Sequence, residues 1–433
     1  LRTLVRNGAW VFGGESMGVG VGLAQGIVLS RALGLSAFGS LSVVMAFVTV
    51  LNRLTSFRMN EFVVQYVQGA LVAKEPRRAA ATMKLALLAE AGASVLAYVI
   101  VFAAATVGAR LFVRLPDGPL LIRIFALTLL ANLVTETAGG ILQALGRFRL
   151  LSALRVAGRA ATLGAVTVAW LAGGAMYELV WALVAGAAVS AALLTVSALR
   201  SARRDLGTSV WRAPLAELAE RGEALRFMLS TNVSGMLSLL AKSDTDMLWL
   251  GFFCTPAQTG LYRIGMNLVT VVMAPVGPLG QATFPQIAHC AAAANWGQFR
   301  KLLRQTTTLV AALVVPAAVG MVLMGPWFLR TFYGPDFVPA ARVMNIVVVG
   351  MAFASVLFWT RPALLALGLP GFQLRIAVWV AVLKVVGTLL VLPTFGYLGN
   401  AVLLTLLCFF AAGTTAARVH AVLKANERAA RLA

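Results

Sequence analysis

Apolar runs of about twenty residues recur from one end of this chain to the other, and that feature excludes most folds. A helix needs about 20 mostly apolar residues to cross a hydrocarbon core of ~30 Å. Runs of that length, punctuated by charge, Pro or Gly, predict twelve spanning helices, roughly 8–29, 40–66, 85–108, 120–145, 156–174, 177–199, 227–252, 258–288, 305–329, 340–360, 373–392 and 397–418. No soluble insert is longer than the segment around residues 200–226. With 60% hydrophobic and 12% charged residues in 433, the expected fold class is an all-α polytopic membrane protein. The first run can span and lacks a small-residue cleavage site after it, so it reads as a retained helix rather than a signal peptide.

The placement of charge orients these helices. The net charge is +21, and the basic residues gather in "KEPRR", "RSARRD", "FRKLLR" and the tail "KANERAARL", each beside an apolar run. That is the pattern of cytoplasmic loops that fix topology, and it predicts both termini and the 200–226 segment on the cytoplasmic side. The partners it implies are membrane lipids, not nucleic acid. Cys254, Cys290, Cys408, His289 and His420 are scattered without metal-ligand spacing, so neither a metal site nor a cofactor is expected. "GVGVG" lies inside a helical run, with no strand before it, and is not a dinucleotide fingerprint.

Polar residues form stripes on three of the expected helices. Thr231, Ser234, Ser238, Lys242 and Thr245 follow spacings of three or four on the seventh, with Asp246 one turn beyond Lys242 and Asp244 on the opposite side. Thr55, Arg58, Glu61 and Gln65 repeat the pattern on the second, and Arg263, Asn267 and Thr270 on the eighth. A single Ser or Thr is ordinary interhelical glue. Ionised residues on such stripes point instead to a hydrated pathway, because charge inside a membrane faces cavities. Lys242 and Asp246, four apart, are expected to pair, as a structural pair or one that opens in transport. Glu15 shares a face with Gly18, Gly22 and Gly26, a small-residue ladder that predicts a protein-facing position. Pro275, Pro278 and Pro285 are expected to bend the eighth helix.

The two halves have similar texture. "LGLSAFGSLSVVMAFV" joins the first two helices and "CTPAQTGLYRIGMNLV" the seventh and eighth; "EPRRAAATMKLAL" and "WGQFRKLLRQTTTL" follow at matching places. A parallel six-plus-six repeat is expected, divided into residues 1–210 and 211–433, with a substrate route between the halves.

Six stretches, "LSRALGLSAFG", "ILQALGRFRLLSALRVAGR", "DMLWLGFFCTPAQTGLYRIGMNL", "FPQIAHCAAAANWGQFRKLLR", "FYGPDFVPAARVMNIVVVG" and "LPTFGYLGNAVLL", occur in order over nearly the whole chain. Together they resemble the polysaccharide transporter, or O-antigen flippase, branch of the superfamily of multidrug, oligosaccharidyl-lipid and polysaccharide exporters. Arg31, Asp246, Gly260, Tyr262 and Gly334 fall on its motifs; Arg58, where the family tends to have Gly, and Lys384 depart from its pattern. The resemblance implies a V-shaped transporter of two six-helix bundles with helices one, two, seven and eight around a central cavity. It also implies a bacterial cytoplasmic membrane location and a substrate, a polyprenyl-pyrophosphate-linked oligosaccharide unit turned between leaflets. A polysaccharide polymerase is the implied protein partner, and H⁺ or Na⁺ the candidate coupling ion.

A sugar and pyrophosphate headgroup cannot cross hydrocarbon unaided, and cationic side chains bind pyrophosphate by charge-assisted hydrogen bonds. Arg53, Arg58, Lys242 and Arg263 are therefore the substrate-binding candidates, with Lys384 behind them; Glu15, Glu61, Asp244 and Asp246 are the ion-coupling candidates. Four acids against four bases leave the sign of the cavity undecided, so a cation-coupled multidrug-type antiporter of the same fold is the alternative. A membrane glycosyltransferase would need an outside loop bearing catalytic acids or His, and the outside connections carry only Asp117 and Asp336.

Overall fold

The computed structural model describes residues 2–56, 59–207 and 243–432. Everything regular in them is helical. The first unit, Leu1–Phe252, contains α1 (Arg2–Thr55), α2 (Met59–Val72), α3 (Pro76–Gly108), α4 (Gly118–Ala131), α5 (Thr135–Ala144), α6 (Phe148–Leu171), α7 (Met176–Leu206) and nearly all of α8 (Ser243–Phe253). The second, Phe253–Ala433, contains α9 (Pro256–Met273), α10 (Val276–Ala292), α11 (Trp296–Phe328), α12 (Ala340–Val356), α13 (Thr360–Ala366) and α14 (Pro370–Leu432).

Seven helical stretches among the described residues are long and apolar enough to cross a membrane. Two of these hold two passes each. A straight helix of 54 residues would run about 80 Å, more than twice the hydrocarbon thickness. α1 is divided at Gly34, whose φ of 73° suits a residue without Cβ. α14, 63 residues long, is divided in the same way at Gly396. Lipid-facing sides are recognisable by their exposed apolar residues, such as Leu88, Leu96 and Val99 on α3.

The expected repeat is present in the local structure of the two units. α3 and α11 each have 33 residues and each ends in a five-residue π turn. Pro76 and Trp296 begin them, Lys74 and Ala294 precede them in the left-handed conformation, and Arg114 and Gly334 close them at positive φ; each pair is 220 residues apart. A packed cluster built on Met59, Phe62, Met83 and Leu142 fills one end of the first unit. Its counterpart in the second is built on Ile287, Phe299, Trp359 and Leu364. Between lipid-solvated helices close packing, rather than the hydrophobic effect, holds the contact. A Cβ on Gly186 would lie 2.5 Å from Thr162 Cα, and one on Gly350 would lie 2.7 Å from Thr405 Cα, so these glycines let whole helices approach.

Three expected spans are broken. The second stops at Thr55 before Met59 begins α2; the fourth is interrupted at 132–134, between α4 and α5; the eighth is interrupted at 274–275, between α9 and α10. The tenth ends at Val356, close to its expected end, and the short α13 follows a turn at 357–359. The bend expected near Pro275 falls between α9 and α10, whereas Pro285 remains inside α10. The amino-terminal part of the seventh span, with Thr231, Ser234 and Ser238, lies outside the described residues.

Candidate functional site

α8 is held against the first unit at its far end. A Cβ on Gly251 would lie 2.7 Å from the carbonyl oxygen of Phe112; the Phe112 and Phe252 rings are 6.2 Å apart; and Arg114 Nη2 donates to the Phe252 carbonyl. These contacts fix where the acidic first turn of α8 falls. Asp244 lies nine residues before Phe253, about 14 Å along the helix. There its Oδ2 meets Nη2 of Arg53, from the last turn of α1, at 3.4 Å. The Arg53 side chain is 34% exposed and that of Asp244 18%. The other terminal nitrogen of Arg53, Nη1, is buried and has no hydrogen-bond partner among the described residues. Asp246 is also buried.

Asp244 is thus directed at a base of another helix, and Arg53 is its partner. Lys242 and Arg58 lie outside the described residues, and with them the expected Lys242–Asp246 pair. Glu61 stands exposed in the first turn of α2. Arg263 is half-buried on α9 in the second unit. Glu15 is exposed and within electrostatic reach of Arg155 on α6. Its expected protein-facing position is not realised, because α1 approaches α6 along a different stripe: a Cβ on Gly14 would lie 2.7 Å from Ser152 Cβ and one on Gly18 2.1 Å from Arg159 Nη1, whereas Gly22 meets nothing. Lys384 is buried in the second unit, one turn from buried Thr388. Among the family-motif positions, Tyr262 accepts a 3.0 Å hydrogen bond from Asn400 in the core of the second unit, and Gly334 has φ 115°.

A further feature of the first unit is absent from the expectations. A cavity of about 420 Å³ lies among α1, α3, α4, α5 and α7, with Gln25, Thr49, Asn52, Ser94, Asn132 and Thr135 as polar lining and Met45, Phe125, Leu129 and Leu183 as apolar lining. It adjoins the break between α4 and α5. Asn132 Nδ2 donates to the Thr128 carbonyl at 2.8 Å, and Thr135 Oγ1 to the Asn132 carbonyl at 3.2 Å, each as a second donor beside a backbone N–H. From α3, the buried carboxylate of Glu90 accepts the backbone N–H groups of Glu136 at 2.9 Å and Thr137 at 2.7 Å. It therefore serves as a cap for α5. The sequence signal was the polar cluster "NLVTET" inside an apolar run, without the Pro or Gly that marks most breaks.

Long apolar helices with kinked passes, an internal repeat, an ion pair between two apolar helices and a broken span beside a polar cavity define a multi-pass membrane protein of transporter architecture. The family model described as "Polysaccharide biosynthesis protein" matches residues 28–342, and the chain belongs to that family. It is similar to the probable flippase AglR of Haloferax volcanii, 26% identical over 38% of this chain and 35% of that protein. It is also similar to the inner membrane protein YghQ of Escherichia coli, 23% identical over 66% of this chain and 80% of that one. The chain thus spans about a third of the length of the flippase relative AglR. Its fold is that of an inward-facing multidrug resistance MATE family transporter, with a TM-score of 0.75 at 15% identity over 94% and 95% of the two chains. The lipid II flippase MurJ superposes with a TM-score of 0.72 at 12% identity over 94% of this chain and 86% of that one.

Proposed function

We propose that this chain is a flippase that moves a polyprenyl-pyrophosphate-linked oligosaccharide across the cytoplasmic membrane by alternating access, for the synthesis of a surface polysaccharide. The observation that carries the reading is Arg53: a guanidinium at the end of a long apolar helix, with one nitrogen on Asp244 and the other buried without a partner among the described residues. Such a group is suited to a pyrophosphate oxygen, because a charge-assisted bond satisfies a donor that otherwise loses its hydration. Membership of a polysaccharide biosynthesis family supports a glycan cargo, and the name of the AglR relative supports a flippase. The cavity of the first unit has no ionised residue in its lining among the described residues, which favours this reading over a cation-coupled drug antiporter.

In this reading an entering headgroup takes Arg53 from Asp244, and the released carboxylate binds H⁺ or Na⁺, linking glycan movement to an ion. Arg58, Lys242 and Arg263 supply further positive charge along the route. Both termini are cytoplasmic, and a polymerase consumes the translocated unit. The test is reconstitution of the full chain in liposomes with a fluorescent undecaprenyl-pyrophosphoryl oligosaccharide. Wild type should expose the lipid to an external quencher at least tenfold faster than empty liposomes, and Arg263→Ala should slow this. Proton-driven efflux of a cationic dye without movement of the lipid-linked glycan would refute the reading.

A further inference from the structure

The cavity beside the α4–α5 break needs a separate explanation, because a broken span does not by itself require one. The second unit has the same break, between α12 and α13, and closes it differently. Trp359, 2% exposed, fills the space and donates from Nε1 to Thr307 Oγ1 at 2.7 Å. In the first unit a cavity lined by polar groups adjoins the break. Among the described residues, the side chains of Gln25, Asn52 and Ser94 make no hydrogen bond with protein groups, and all three are half-exposed.

From this geometry we infer that the cavity is a subsite for a single sugar ring, the one joined directly to the pyrophosphate; the inference rests on the flippase reading above. A sugar ring is uncharged, with hydroxyls that both donate and accept around its edge and C–H groups on its faces. The lining matches each property. The amides of Gln25 and Asn52 and the hydroxyls of Thr49 and Ser94 donate and accept, whereas Phe125 and Met45 offer apolar surface. Among the described residues no lining side chain is ionised, so neither the phosphates nor a bare cation finds a counter-charge from them. The size suits one ring with its hydration: 420 Å³ is the space of about fourteen waters at ~30 Å³ each, room for a hexose and several waters but not for a long oligosaccharide. The ring beside the charge is the one it would take, since Asn52 lines the cavity on α1 and Arg53, on the same turn, carries a nitrogen without a partner among the described residues.

The experiment measures binding of three lipids to the full chain in nanodiscs: undecaprenyl pyrophosphate, undecaprenyl-pyrophosphoryl-hexose and undecaprenyl-pyrophosphoryl-N-acetylhexosamine. Wild type should bind at least one sugar-bearing lipid about tenfold more tightly than the bare pyrophosphate. Asn52→Leu and Gln25→Met should bring that ratio close to one while leaving affinity for the bare lipid unchanged. Ser94→Ala, which removes a single hydroxyl, should lower it partway and serves where a bulkier variant fails to accumulate. Equal affinity for all three lipids in wild type, or a sugar preference that survives all three substitutions, overturns the subsite and leaves the flippase reading intact. If wild type binds none of the three, the flippase reading fails and the subsite falls with it.

Discussion

Removing Arg53 or Asp244 singly should cost more than removing both. At 3.4 Å two unit charges in an effective dielectric of ~20 attract by about 5 kcal/mol. That is an upper bound, because Arg53 is 34% exposed and solvent screens the pair; a coupling of roughly 1–3 kcal/mol is the expected remainder. Arg53→Met removes the guanidinium from the carboxylate of Asp244, and Asp244→Leu removes the carboxylate from the guanidinium of Arg53, so each should destabilise by about 2–3 kcal/mol. The double variant should recover most of that loss. Unfolding of the four proteins in mixed micelles of a mild detergent and SDS closes the thermodynamic cycle at fixed composition. If the single losses sum to the double within about 0.5 kcal/mol, the pair is not coupled and the argument is wrong. The reading of Arg53 as a headgroup ligand makes a second demand: the double variant, though restored in abundance, should remain defective in moving the lipid-linked glycan.

Three further outcomes follow. Glu90→Ala deprives two N–H groups at the start of α5 of their acceptor and should cost about 2–4 kcal/mol by the same unfolding assay, with Glu90→Gln, which keeps one acceptor oxygen, losing less. Trp359→Phe removes the bond to Thr307 and should cost about 1–2 kcal/mol, whereas Trp359→Ala also opens a void in the packed end of the second unit and should cost about 3–5 kcal/mol. With Cys254, Cys290 and Cys408 first replaced, a cysteine introduced at Thr208 should resist an impermeant thiol reagent in intact cells and react in inverted vesicles; labelling from outside would overturn the assignment of both termini to the cytoplasm.

Much of the architecture was legible because the membrane imposes it. A helix must be long and apolar to span, so the runs around α3, α7, α11 and α12 appear directly as hydropathy. The repeat was legible too, since "EPRRAAATMKLAL" and "WGQFRKLLRQTTTL" begin helices of equal length 220 residues apart. Inferences confined to one helix reached less far. Spacing of four along the expected seventh span links Asp246 to Lys242, which lies outside the described residues, but spacing cannot show that Asp244 is directed toward Arg53, nearly two hundred residues earlier in the chain. The Gly18, Gly22 and Gly26 ladder was a correct signal of close approach placed on the wrong stripe: Gly14 and Gly18 meet α6, and Glu15 is left to one side. The α4–α5 break was hidden because its cause is a carboxylate on α3. Glu90 takes up the N–H groups that the break frees, and within the span itself only the polar cluster "NLVTET" signals it.

The same register shows where the two halves have diverged. Residue 90 of α3 corresponds to residue 310 of α11, 220 further on, and there the buried position holds Val310 instead of Glu90. Leu87 likewise corresponds to Thr307, the residue that anchors Trp359. The second unit therefore stabilises its break by filling it with an indole, and the first by a carboxylate cap beside an open cavity. An apolar plug is the simpler solution, since a buried carboxylate loses hydration that only hydrogen bonds can replace. The capped solution gives something that the plug cannot: it satisfies the start of α5 from the side and leaves the polar edge of α4, with Asn132 and Thr135, available to a hydrated space. Arg53 and Asp244 belong to this same unit. In the proposed reading, the headgroup contacts drawn from Arg53, Asp244 and the polar cavity all lie in this first unit, and Arg263 of the second adds positive charge along the route.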